Sequence, residues 1–351
     1  MEENIHVVGF RPEMSFTKKR IAITFYIPDG SLGPSGHSDE LTISGYRIRA
    51  TITGGTMLYG SQASLRIEGL PLATMNRLSV VQGMTSKDNQ NTIRASNASV
   101  IVQAGDDEHG LSTIFRGIIA EAYADFAGAP DVAFQILAYD VGLAKTEIVS
   151  PVSYQGKVPV TTIFSDLAER FSRLANKDDG RPKISGIFVN HGLTSKTTIT
   201  NFYKGGNLID QIDELARAIG ATYHFDTNGN LHVWAASRSV NKDATTVTIS
   251  KHTGLIGYPS YNQQGIHFTT LFKPTIQFNV PVKIDSTYLP AGWVNNQMGQ
   301  SITPMPVNGL WNPTFITHDL SCETPNGPWF TYVTAQRTDY ALNQVAQEYK
   351  S

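Results

Sequence analysis

The chain has 351 residues, 40% of them hydrophobic, a formal net charge of -2 and a pI near 6.5. That length is enough for two or three domains with cores of their own. The near-neutral charge excludes a protein that grips nucleic acid through its phosphates, which needs a basic surface, but not a conduit through which DNA passes without being held.

Cys322 is the single cysteine, so no disulfide can close within the chain and cytosolic synthesis is expected. The opening stretch lacks the basic-then-apolar layout of a signal peptide, and no apolar run approaches membrane-spanning length. The expectation is a protein with neither a signal peptide nor a membrane span.

Residues 20–27 alternate, with Ile21, Ile23, Phe25 and Ile27 on one face, before Pro28-Asp29-Gly30 breaks the run. Leu41 and Ile43 share one parity and Ile48, Ala50 and Ile52 the other, which predicts a bulge at Gly45. Further strands are predicted at Ala63–Ile67, at 99–105, across 113–126 and, after the Gly128-Ala129-Pro130-Asp131 turn, across 132–140. No helix is predicted in the first 145 residues, and the pattern implies a small antiparallel barrel or sandwich.

Past Gly156 the period changes. Val160, Ile163, Phe164, Leu167, Ala168, Phe171 and Leu174 fall on one face of a helix. Strand-like runs at 184–189 and 197–203 precede a second helix carrying Leu208, Ile212, Leu215, Ala216 and Ile219, with Gly220 as its stop. Ala221–Phe225 and Leu231–Trp234 then flank Asp226-Thr227-Asn228-Gly229-Asn230, a turn suited to a hairpin. Residues 239–244 read as a linker.

In the last part, Ile266, Phe268, Thr270 and Phe272 alternate, and Lys273-Pro274 turns the chain into a second alternating run, Ile276, Phe278, Val280, Val282 and Ile284. The pair reads as a hairpin, with Pro281 marking its second strand as an edge where another chain could meet the sheet; Pro281 and Lys283 are the candidate interface residues. A long loop with Gly292, Pro304, Pro306 and Gly309 precedes strands at 315–320 and 329–334, and a short tail follows from Asp339. The fold class expected is α+β and mainly β, with barrel-like antiparallel domains at 1–150 and 245–351 flanking a central α/β domain at 151–244.

Chemical motifs are sparse. No two of the nine histidines sit four apart in a helix and His-Glu-x-x-His is absent, so no zinc signature is present. His224 and His232 oppose each other on the hairpin arms and read as strand histidines before metal ligands. Asp106-Asp107-Glu108-His109 reads as a solvated turn and lacks the alternation of a calcium loop. His318-Asp319 has no nucleophile elbow to serve, and Walker and dinucleotide glycine patterns are missing. Catalytic, cofactor-binding and metal residues are therefore none, and Cys322 reads as a buried structural thiol. Asn97-Ala98-Ser99 matches a glycosylation sequon without a secretory signal to use it.

Several pieces in order carry a resemblance. They are Leu65-Arg66-Ile67-Glu68-Gly69-Leu70, Met75-Asn76, Val102-Gln103-Ala104-Gly105, Ile114-Phe115-Arg116-Gly117-Ile118 and Ala138-Tyr139-Asp140, then Gly220-Ala221-Thr222-Tyr223 and Asn228-Gly229. Last come Gly254-Leu255-Ile256-Gly257-Tyr258-Pro259, Gly265-Ile266 and Leu271-Phe272-Lys273-Pro274. Together, from about residue 45 to 337, the chain resembles the baseplate hub proteins of tailed phages, with Gly254, Gly257, Tyr258 and Pro259 as the signature turn. Asn279 departs from the pattern, where glycine is expected.

The resemblance implies a structural protein with no enzymatic role, whose three copies close into a ring between a six-fold tail tube and a three-fold tip. Two barrels per chain give six units around the axis. It further implies tail tube or distal tail protein, spike or tip protein and tape measure protein as partners, DNA in transit only, and a place in the virion tail. Any wall-degrading activity is expected in a partner. Two alternatives are weighed. One is a carbohydrate-binding or carbohydrate-hydrolysing β-protein, from Trp234, Trp293, Trp311 and Trp329 with Asp125, Asp131 and Asp140 as candidate carboxylates. The other is a type VI secretion-like spike hub, whose chains continue into a β-helical needle.

Overall fold

A computed structural model describes residues 17–27, 40–56, 60–81, 84–85, 92–93, 98–140, 148–176, 183–235, 246–262, 265–288 and 307–337. The predicted linker at 239–244, the loop at 289–306 and the tail from Asp339 lie outside the described residues.

The first part of the chain gives β1 (Lys19–Tyr26), β2 (Glu40–Ser44), β3 (Arg47–Thr56), β4 (Gly60–Glu68), α1 (Leu72–Leu78), β5 (Val80–Val81), β6 (Met84–Thr85), β7 (Thr92–Ile93), β8 (Ser99–Asp106), β9 (Gly110–Asp125) and β10 (Ala133–Tyr139). They pair antiparallel in the order β3-β4-β10-β9-β8-β1-β2. Alternation drives this: Ile21, Ile23, Phe25, Ile48, Ala50, Leu65, Ile67, Phe115 and Phe134 turn to one shared interior and are almost wholly buried. Gly45, at φ +78, turns a corner between β2 and β3, which take different partners, and is not a bulge within one strand as the parity change predicted. The seven-residue α1, unforeseen in the sequence, buries Met75 and Leu78 against the same core.

The middle part contributes β11 (Val152–Ser153), β12 (Lys157–Pro159), α2 (Val160–Ala175), β13 (Phe188–His191), β14 (Thr198–Thr200), β15 (Tyr203–Lys204), α3 (Leu208–Ala218), β16 (Thr222–Phe225) and β17 (Leu231–Trp234). The seven apolar residues predicted to share one face of α2 are its buried residues. Asn207 caps α3 by accepting from the Asp210 backbone N–H at 2.8 Å, and Gly220 leaves the helix at φ +67. The two helices pack on a three-stranded sheet, β13-β17-β16, around a separate core.

The last part holds β18 (Val247–Ser250), β19 (Leu255–Asn262), β20 (Gly265–Leu271), β21 (Val282–Asp285), β22 (Gly309–Cys322) and β23 (Trp329–Arg337). Two expectations fail here. β20 pairs with β19 and β23, so it forms no hairpin with the run that follows it. Of that run only 282–285 is strand; Ile276 and Phe278 are buried as alternation requires, but 276–281 is irregular, with a turn at Phe278-Asn279. The cause is local, because Pro281 has no N–H to give a ladder and Asn279 sits at φ +58. Asn279 thus holds the left-handed conformation that glycine adopts most easily.

The strand β22 joins the two ends of the chain. One of its edges pairs with β23 throughout, while the other pairs first with β21 at Gly309–Trp311 and then with β3, from Ile316↔Gly54 to Cys322↔Ile48. Its inward face passes from one core to another: Trp311 and Ile316 belong to the last core, Leu320 and Cys322 to the first. The start of β23 follows, with Trp329 buried in the first core and the Lys19 ammonium 5.4 Å from its ring centroid. One continuous sheet, β19-β20-β23-β22-β3-β4-β10-β9-β8-β1-β2, therefore fuses the two β units, while the α/β unit keeps its own sheet.

Two outcomes follow. Leu320→Ala removes a side chain that is 0% exposed in the first core and is expected to cost about 2–5 kcal/mol; in urea unfolding, the first and last β units should then melt earlier and together. Asn279 is 4% exposed and neither its amide oxygen nor its amide nitrogen has a partner. Asn279→Gly relieves both that deficit and the positive φ and is expected to raise stability by about 1 kcal/mol in the same measurement.

Candidate functional site at the junction of the three units

The α/β unit meets the fused sheet through its β16–β17 hairpin. Asp226 organises the hairpin turn, accepting from the backbone N–H groups of Asn228 and Asn230, both at 2.8 Å, and from the Asn230 amide at 2.9 Å. Burial alone would raise the Asp226 carboxyl, but the bonds from His232 and these turn groups hold it below its ordinary value. On the other side Arg116 of β9 reaches the Lys183 carbonyl at 3.3 Å, linking the first β unit to the central one.

His224 and His232 are register partners, as the hairpin predicted. What the sequence did not show is His191, which β13 brings alongside by pairing parallel to β17, opposite Trp234. The result is a hydrogen-bonded string: His191 Nε2 lies 2.9 Å from His232 Nδ1, and His232 Nε2 lies 3.3 Å from Asp226 Oδ2. The acidic end requires a donor, so His232 carries its proton on Nε2 and accepts from His191 at Nδ1. The Trp234 indole stacks on His191 at 4.6 Å, and Phe278 contacts both His224 at 5.0 Å and Trp234 at 5.7 Å.

A cavity of about 150 Å³ lies between the hairpin, the 272–281 loop and the sheet. His224, Asp226, His232 and Trp234 line one side, Phe278 another, and His318 of β22 a third. His318 Nδ1 is 2.9 Å from Thr331 Oγ1, which also accepts from the Lys273 backbone N–H at 3.1 Å. Burial pushes both His224 and His318 down to about 4, and His191 is lowered by burial and by His232.

Among the described residues no group of three His, Cys, Asp or Glu side chains is placed to hold a metal ion. His318 and Asp319 point to opposite faces of β22, Asp319 pairing with Arg49 at 3.3 Å, so they form no His–Asp couple. Asp106 accepts from the backbone N–H groups of Glu108 and His109 and is a turn-closing residue. The Cys322 thiol donates to the Tyr46 carbonyl at 3.4 Å, and burial raises it.

Two tryptophans of the carbohydrate alternative, Trp311 and Trp329, are buried, and Trp234 is part of the junction; Trp293 lies outside the described residues. Asp125 and Asp140 flank opposite ends of β10, seven residues long, which separates them by about 20 Å, well beyond the roughly 5–10 Å of a glycosidase pair.

The signature residues Gly254, Gly257, Tyr258 and Pro259 fall on or just before β19, the end strand of the sheet path. Gly254, at φ +103, ends the turn at 251–254 that leads from β18 into β19, and a register shift between Ile256 and Ser260 leaves Gly257-Tyr258-Pro259 as a bulge, with Gly257 at φ +66. Tyr258 is exposed there, 5.0 Å from the exposed Tyr288. Pro281 directly precedes β21, and Lys283 is an exposed residue within it. Since β21 pairs with β18 on one side and β22 on the other, it is not the edge that Pro281 predicted.

The fold is similar to a tail protein from Neisseria meningitidis MC58, at 10% identity, TM-score 0.50 and 91% of this chain against 97% of that one. A 43 kDa tail protein of prophage MuSo2 from Shewanella oneidensis matches at 10% identity, TM-score 0.52 and the same coverages. No curated protein sequence matches significantly. The sequence model of the family described as baseplate hub gp41 matches residues 20–297, and the chain belongs to that family. It is a structural protein of the phage tail baseplate.

Disrupting the string tests its part in the junction. His232→Ala removes the group that bridges His191 and Asp226 and is expected to destabilise the α/β unit by about 1–3 kcal/mol, read as an earlier urea transition.

Proposed function

We propose that three copies of this chain close into a ring that adapts a six-fold tail tube to a three-fold tip and surrounds the path of the exiting DNA. The observation that carries this reading is the fusion of two β units through β22 and β3, which fixes two sheet modules per chain in one orientation. Three chains then present six modules. Partners on this reading are the tail tube or distal tail protein, the spike or tip protein and the tape measure protein, with synthesis in the host cytoplasm. The net charge of -2 fits a conduit that does not hold DNA. The subunit contact proposed is the outer edge of β19, where Ile256 and Tyr258 are exposed beside Tyr288; it takes the place of the Pro281 and Lys283 contact, whose strand is enclosed.

Light scattering across concentration, with negative-stain images of the largest species, is expected to give a mass three times the 38.4 kDa chain and an open three-fold ring. A monomer at every concentration speaks against self-assembly. Ile256→Lys, which sets a charge on the exposed edge, is expected to shift the mass toward the single chain with the circular dichroism unchanged.

A further inference from the structure

The three cores are held together by unequal means. The first and last share the β3–β22 ladder and a continuous inward face, whereas the α/β unit meets them at the cavity, at the Arg116–Lys183 contact and at the Phe278 ring between His224 and Trp234. A unit seated beside a void makes fewer dispersion contacts and separates more easily than one joined by a ladder.

The histidines sit on both sides of that void. His224 and His232 face it from the hairpin and His318 from β22, and His191 backs His232 at 2.9 Å. Among the described residues Asp226 is the one carboxylate lining it, with the Arg116 charge acting on Asp226, and the 272–281 loop, β3, β4 and β9 turn only uncharged side chains toward it. Two imidazole nitrogens at 2.9 Å share one hydrogen. Both rings, and Asp226 with them, belong to the α/β unit, so this pair travels with that unit whether or not it is seated. Charging His224 and His318 sets like charges across one cavity.

We propose that this junction is an acid-released latch, in which His224 of the hairpin and His318 of β22 keep the α/β unit seated on the fused sheet only while at most one of them is charged. The sign of the pH dependence follows from the direction of the shifts. His224 and His318 both bind a proton more weakly seated than free, falling to about 4 from an ordinary value near 6.5. Release therefore takes up protons: the seated form holds full advantage above about pH 6.5 and loses it progressively as the pH falls toward about 4. The β3–β22 ladder is held by seven residue pairs and by apolar side chains of both cores on either side of His318, so the sheet stays fused while the α/β unit moves.

The test uses paired spin labels on the full chain, at Lys196→Cys on the α/β unit and Lys251→Cys on the last β unit, both exposed positions; Cys322 is buried and does not compete. Distances are measured from pH 7.5 to pH 4.5 alongside far-ultraviolet circular dichroism. The expected result is a reversible lengthening and broadening of the distance below about pH 6 with secondary structure retained. It should be lost when His224→Gln and His318→Gln are combined. An unchanged distance in the wild-type pair, an equal displacement in the double variant, or loss of secondary structure in the same pH step overturns the proposal. The wild-type series decides on its own where the double variant does not fold.

Discussion

The ladder between β3 and β22 is the constraint on which the rest of the molecule depends. Its seven residue pairs connect positions about 270 apart in the chain, and Leu320 and Cys322 complete a core that begins at Ile21. Neither β unit is self-contained as a result: the first lacks part of its wall without β22, and β22 lacks half of one edge without β3. Fourteen residues of strand, about 45 Å, act as a common beam for both. The two β units keep one fixed relative orientation because they hold the same strand, not because two finished surfaces meet.

The α/β unit stands in contrast. Its core closes on itself, with α2 and α3 against β13, β16 and β17, and its link to the sheet is built from rings, imidazoles and one guanidinium. Apolar burial is non-directional and tolerant of pH, while a hydrogen-bonded imidazole string depends on which nitrogen carries each proton. The molecule thus pairs a permanent fusion with a conditional contact, and His318 belongs to both. Its backbone lies in the β3–β22 ladder and its ring in the cavity.

What could be read from the sequence was whatever repeats locally. The stripe on α2 and the alternation of β1, β4 and β10 were legible because burial on one face imposes a period. The β3–β22 pairing was not, since an edge that meets residues 270 positions away leaves no mark on its neighbours, and the Ile316-to-Cys322 parity suits any buried strand. The 276–281 stretch shows the opposite failure. Ile276 and Phe278 are buried as the period requires, yet Asn279 is buried too, and proline with a left-handed asparagine denies the stretch a ladder, so periodicity misjudged the element. His224 and His232 could be matched through their Asn-Gly turn; His191 reaches them by a parallel pairing that no turn announces. Of the two glycines of the signature stretch, both at positive φ, Gly254 lies in the turn before β19 and Gly257 in the bulge within it.

The span from β3 to β22 also sets a schedule for the chain during synthesis. At roughly 5–20 residues per second, the ribosome delivers β22 tens of seconds after β3 has emerged. Throughout that interval β3 has β4 on one side and an unfilled row of N–H and C=O groups on the other. An open edge of that length is a template for pairing with a neighbouring nascent chain. The last strands of this protein are therefore also what ends its vulnerability to joining the wrong copy of itself.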